Sequence, residues 1–166
     1  MSIYAAYGTN LDPGQMARRA PRSPLLTTGW LEGWRLTFGE GLPVPGGALA
    51  TLAEDPGQRV FVALYDLMEW DEPHLDSWEG AAEAPRGGRG SWAAAGSGRS
   101  YRKMTVRART ADRGTVVAWA YVLDGYEGGR PSALQLGQLA VAAEKAGAPA
   151  WYVSDLLSRD CLPTDL

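Results

Sequence analysis

Glycine and proline punctuate this chain so closely that it can hold only short elements separated by turns. There are 21 glycines and 11 prolines, about a fifth of the 166 residues. That is too many for a helical bundle and fewer than the roughly 25–30% typical of unstructured chains. A hydrophobic share of 45% with 21% charged residues fits a packed core. The expectation is turn-rich β structure with some helix, in one domain of ordinary length covering residues 1–166.

Local patterns give the order of elements. Ile3-Tyr4-Ala5-Ala6-Tyr7 is a short apolar run stopped by Gly8, and Asp12-Pro13 with Gln15 signals a helix reaching Ala20, before Pro21. Trp30, Trp34, Leu36 and Phe38 fall on one face of the next strand, blurred by Leu31 and Glu32, and Gly39 to Gly47 is a loop. Ala48 to Ala53 and Val60 to Leu67 read as a hairpin turning at Glu54-Asp55-Pro56-Gly57. Asp71 reads as the N-cap of a short helix carrying Leu75, Trp78 and Glu79 and ending at Gly80. Residues 81–100 lack periodicity and read as a long flexible loop insertion. A hairpin of Tyr101 to Thr110 and Thr115 to Leu123 follows, then a helix opened by the capping box Ser132/Gln135 and a last helix over Ala150 to Ser158. About six strands in the order β α β β β α β β α α make this an α+β fold, with a mixed sheet able to close into a barrel. The tryptophans are expected mostly in the core, with Trp92 and Trp151 exposed.

One cysteine, Cys161, and one histidine, His74, exclude several chemistries. Disulfide pairs and a His/Cys zinc site cannot be assembled, and no metal or other cofactor is expected. His74 reads as a surface helix residue and Cys161 as an inert thiol near the chain end. A net charge of −3 argues against nucleic acid as a partner. No apolar run of about 18 residues exists to span a membrane. The N-terminus lacks a basic segment followed by an apolar one, so a cytoplasmic location is expected. Residues 81–109 concentrate seven basic side chains against Glu83, a positive segment beside an acidic remainder.

Two stretches are chemically suggestive. In Tyr7-Gly8-Thr9-Asn10-Leu11-Asp12, a glycine directly after a buried strand allows close backbone approach, and the following amides lead into a helix start where an anion or oxyanion can be held. A tight turn satisfying its own backbone would look the same. In Leu75-Asp76-Ser77-Trp78-Glu79-Gly80, Glu79 shares the face of Leu75, and desolvation there would suit it to acid/base work. Asp76 is a rival that periodicity alone does not separate from Glu79.

These blocks resemble a known family. Tyr4-Ala5-Ala6-Tyr7-Gly8-Thr9-Asn10-Leu11 is similar to the Tyr-Gly-Ser-Asn-Leu signature that opens the gamma-glutamylcyclotransferase family, and Met16 and Arg19 match the helix after it. Gly47-Ala48-Leu49-Ala50-Thr51-Leu52, Leu75-Asp76-x-x-Glu79-Gly80, Tyr101, Ala120-Tyr121-Val122-Leu123, Tyr126, Pro131-Ser132, Gly147-x-Pro149 and Tyr152 resemble further blocks in the same order. The resemblance implies a small mixed barrel with helices around it and a cavity at the Tyr7-to-Leu11 loop. It also implies a reaction in which the free α-amine of a γ-glutamyl group attacks its own γ-carbonyl, releasing 5-oxoproline and an amine. Glu79 then takes the catalytic role, and Tyr7, Gly8, Thr9, Asn10, Leu11, Tyr101 and Gln135 the substrate-binding ones.

Three departures stand out: Thr9 replaces the usual Ser, Gln135 stands where the family commonly has a pocket tyrosine, and residues 81–100 exceed the usual gap. The implied partner is a small-molecule γ-glutamyl substrate: an amino-acid derivative, a γ-glutamylamine or a protected biosynthetic intermediate. A monomer and a weak homodimer both fit. The competing reading is a non-catalytic module that binds γ-glutamyl or amino-acid-like ligands.

Overall fold

The computed structural model describes residues 1–39, 49–79, 101–123 and 129–162. The expected loop at 81–100, the helix stop at Gly80, Trp92, Tyr126 and most of the Gly39–Gly47 loop lie outside the described residues.

Five strands form a closed barrel: β1 (Ser2–Ala6), β2 (Leu25–Phe38), β3 (Ala50–Leu67), β4 (Arg102–Thr110) and β5 (Thr115–Val122), ordered β1-β3-β2-β4-β5 around the ring. All pairs are antiparallel except β1 with β5, which are parallel and joined in register at Tyr4↔Trp119. The mixed barrel with surrounding helices is as expected, with five strands in place of about six.

The difference lies in β3. The expected hairpin at Glu54–Gly57 does not reverse the chain, because both halves pair with the same long strand β2. Pairing steps from Glu32↔Arg59 to Trp34↔Glu54, so Asp55 to Gln58 bulge out of β3 opposite Gly33. Gly33 has φ +86°, a left-handed conformation that glycine adopts without steric cost. The turn signal was therefore real, but it encodes a bulge. The alternation expected for β2 is also blurred at its middle: Trp30 stacks on Trp151 and meets Phe61 and Tyr152 edge-on, while Leu31, on the opposite face, is fully buried. Both faces of the strand are covered there, which explains the blurred period.

Helices α1 (Pro13–Arg19), α2 (Glu72–Glu79), α3 (Ala133–Lys145) and α4 (Ala150–Leu157) surround the barrel. The side chain of Asp12 caps α1 by accepting from the amide of Gly14, 2.9 Å away. Gln15 does not complete a capping box; it reaches back to Thr9 and Asn10. Asp71 stands directly before α2, at the expected N-cap position. Its carboxylate accepts from the Arg22 amide and the Ser23 hydroxyl, both at 2.8 Å, and so ties the start of α2 to the segment after α1. The Ser132/Gln135 capping box on α3 is complete.

A single buried cluster runs from Tyr4 and Leu11 through Leu31, Leu64 and Leu75 to Leu136 and Leu156. Among the described tryptophans none is fully buried: Trp70, Trp78 and Trp151 are exposed and Trp30, Trp34 and Trp119 half-buried. The expected tryptophan core is instead built from tyrosine and aliphatic side chains, whose smaller volumes suit the inside of a narrow barrel.

Candidate active site

Strand β1 ends at Ala6, and Tyr7 and Gly8 carry the chain into a 3-10 turn over Thr9–Leu11 that precedes α1. Amides at the start of such a turn have no partner within it. This turn forms one side of a cavity of about 200 Å³. Tyr4, Tyr7, Tyr101 and Tyr121 supply aromatic walls, Glu79 and Trp78 enter from the end of α2, and Gln135 and Leu139 from α3.

The turn is pinned from behind. Asn10 is buried, and both polar atoms of its side chain are hydrogen-bonded: Nδ2 donates to the Tyr4 hydroxyl at 3.0 Å, and Oδ1 accepts from Gln15 Nε2 and Arg19 Nη1, each at 3.0 Å. Gln15 Nε2 also reaches the Thr9 hydroxyl at 2.8 Å, and the Tyr65 hydroxyl donates to the Asn10 carbonyl at 3.2 Å. The tyrosines are committed too. Tyr7 donates to the Tyr121 carbonyl, and Tyr101 donates to the Ala50 carbonyl at 2.6 Å.

Glu79 is the last residue of α2, with its side chain 24% exposed. That opening is toward an aromatic-walled cavity, and burial pushes its carboxyl up to about 6, against the pull of Arg19, whose Nη1 lies 3.7 Å from Oε2. Burial, followed by the nearby Glu79 charge, raises the Tyr4 and Tyr101 phenols well above their ordinary value, and burial with Tyr101 and Glu79 does the same to Tyr7. These phenols stay neutral at physiological pH, so among the described cavity residues Glu79 is the group able to exchange a proton there. Asp76, the rival carboxylate, does not line the cavity: it accepts from the Tyr121 hydroxyl at 2.5 Å and pairs with Lys103 at 3.0 Å. Among the described residues no three His, Cys, Asp or Glu side chains converge as a metal site, and no helix is long and apolar enough to cross a membrane.

Of the residues singled out from sequence, Glu79, Tyr7, Gly8, Thr9, Asn10, Tyr101 and Gln135 all line this cavity. Leu11 does not. It is fully buried in the core, and its amide closes the turn on the Gly8 carbonyl at 3.0 Å.

A family model described as gamma-glutamyl cyclotransferase, AIG2-like matches residues 4–139. Every described residue lining the cavity, from Tyr4 to Leu139, lies within that match. The chain belongs to the gamma-glutamyl cyclotransferase, AIG2-like family. A human gamma-glutamylcyclotransferase is 22% identical over 158 residues, covering 93% of this chain and 76% of the relative. The solved structure of a gamma-glutamyl cyclotransferase superposes with a TM-score of 0.79 at 21% identity, covering 98% of this chain and 90% of that one. The Bacillus subtilis protein YkqA gives a TM-score of 0.67 at 18% identity, covering 93% of this chain and 52% of that one. At such identities the structural likeness establishes the fold.

For this cyclotransferase-family chain, sequence reasoning did not assign Tyr4, Phe38, Leu49, Ala50, Trp78, Tyr121 and Leu139 to the cavity. Leu139 carried a signal, since it lies one helical turn after Gln135. Phe38 and Ala50 are register partners at the paired ends of β2 and β3, a placement no local pattern reveals.

Proposed function

We propose that this protein is an intramolecular γ-glutamyl cyclotransferase in which Glu79 is the general acid/base. In the reaction the substrate's α-ammonium gives a proton to the Glu79 carboxylate. The freed lone pair attacks the γ-carbonyl carbon, forming the ring N–C bond. Collapse of the tetrahedral adduct breaks the bond to the departing amine, which takes the proton back from Glu79 and also receives the second proton shed by the ring nitrogen, so that it leaves as an ammonium. The products are 5-oxoproline and a free amine, and the enzyme returns to its starting state.

Each demand of this chemistry has a counterpart in the cavity. Ring closure gains from high effective molarity if the substrate is held folded, and a space of about 200 Å³ walled by aromatic side chains suits that. The amides of Gly8, Thr9 and Asn10 are suited to hold a substrate oxygen, and such donors are typically worth about 2.7–4 kcal/mol. A carboxyl near 6 is mostly ionised at neutral pH, yet close enough to it to give the proton back.

The observation that carries the reading is the shared cavity: Glu79 and the Gly8-to-Asn10 turn line the same space. The test is 5-oxoproline release from a panel of γ-glutamyl amino acids, γ-glutamylamines and γ-glutamyl-protected intermediates, by wild type and Glu79→Gln. Wild type should release it from at least one member and Glu79→Gln should lose turnover by several orders of magnitude. Acetylating the α-amine should abolish turnover of any accepted substrate. Binding without cyclisation across the panel would make the protein a ligand-binding module, and turnover of the acetylated substrate would make it a hydrolase.

A further inference from the structure

We propose that Arg19 is the positioning residue for Glu79: its guanidinium, 3.7 Å from Oε2, attracts that carboxylate oxygen and so keeps the other turned toward the substrate. The inference rests on the cyclotransferase reading for its kinetic consequence, and on geometry for the contact itself.

Arg19 closes α1 and meets two other elements. Its Nη1 donates to Asn10 Oδ1 in the 3-10 turn at 3.0 Å and stands 3.7 Å from Glu79 Oε2 at the end of α2. Its guanidinium also stacks 4.6 Å from the Trp78 ring centroid. The side chain is largely buried, and it does not line the cavity, so Arg19 acts through Glu79 rather than on the ligand. The anchor is itself fixed, because Asn10 Nδ2 is held by the Tyr4 hydroxyl.

Among the described residues, the charges around Glu79 leave this task to Arg19. From β1 and its extension come Tyr4 and Tyr7, ahead of β4 comes Tyr101, and β5 supplies Tyr121, all of them phenols raised by burial. On its own helix, Glu72 and Asp76 are both engaged by Lys103 of β4. Burial and the negative end of the α2 dipole disfavour a carboxylate at position 79, and among the described residues the Arg19 cation is what opposes neutralisation there. A planar guanidinium can stack on Trp78 while bonding Asn10 and facing Glu79, whereas an ammonium keeps the charge and loses the stack and fork.

The experiment combines pH–rate profiles of 5-oxoproline release with a carbon-13 titration of the Glu79 carboxyl, assigned by its absence in Glu79→Gln. It compares wild type, Arg19→Met and Arg19→Lys. Arg19→Met should raise both the Glu79 midpoint and the acid limb by about one pH unit, lower kcat near pH 6 about tenfold, and leave KM within about twofold. Arg19→Lys should keep the midpoint close to wild type while kcat stays reduced. An unmoved midpoint in Arg19→Met overturns the proposal, as does a rise in KM with kcat preserved, which would make Arg19 a substrate contact. Wild-type kcat in Arg19→Lys overturns it even if Arg19→Met fails to fold. If wild type forms no 5-oxoproline, the cyclotransferase reading fails, and the carboxyl titration still decides whether Arg19 governs Glu79.

Discussion

Gly8 is a glycine that the protein's own packing does not require. A Cβ built there meets nothing within 4 Å, and the residue faces the cavity. Gly8→Ala should therefore fold with an unchanged or slightly higher melting temperature, since alanine restricts the unfolded chain. It should lose roughly 10²-fold in kcat/KM, because a methyl group displaces the ligand by about an ångström. Calorimetry and 5-oxoproline release on the same preparation check both halves. At this scale sequence reading reached far for the turn and less far for the carboxylates. Asp76 and Glu79 sit three residues apart on one stripe, and what separates them is Lys103 and Tyr121, which arrive from β4 and β5. No local pattern contains those partners.

Among the elements, β2 is the most constrained. It meets β4 at only two register pairs, Gly29↔Thr110 and Trp30↔Arg109. A Cβ at Gly29 would lie 2.6 Å from the Arg109 carbonyl oxygen and 3.0 Å from Thr110 Cγ2. The nearer atom is backbone, so relief requires strands to part. Gly29→Ala should cost about 1–3 kcal/mol in urea denaturation, in contrast to Gly8→Ala. The helices were legible because caps and stripes are local: Ser132/Gln135 and the face of Leu136, Leu139, Ala140 and Ala143 all appear in α3 as read. The Asp55-Pro56-Gly57 turn was legible as a turn and misread as a reversal. Whether such a signal ends a strand or bulges it depends on the length of the partner strand, which lies elsewhere in the chain.

For the whole molecule, the site carries a stability cost that depends on pH. Glu79 has a folded value of about 6 against an ordinary 4.5, so the folded state binds the proton more tightly. Below about pH 4.5 the carboxyl is protonated in both states and the cost vanishes. It builds between 4.5 and 6, and above 6 it reaches about 2 kcal/mol at 1.36 kcal/mol per unit. Glu79→Gln should accordingly be more stable than wild type above pH 6, by up to about 2 kcal/mol, and indistinguishable below pH 4.5, as read from urea midpoints. An equal gain at all pH values would mean that the carboxylate is not desolvated. A further consequence follows from how the ring of strands is shut. Its one parallel join is made at Tyr4↔Trp119, and Tyr4 is also a wall of the cavity. Among the described strands, the join with the fewest register pairs and the proposed ligand site thus share a residue, so a molecule lodged there should act as an extra stitch. Resistance to heating then becomes a search tool: compounds that raise the melting point can be ranked as occupants before any turnover is seen.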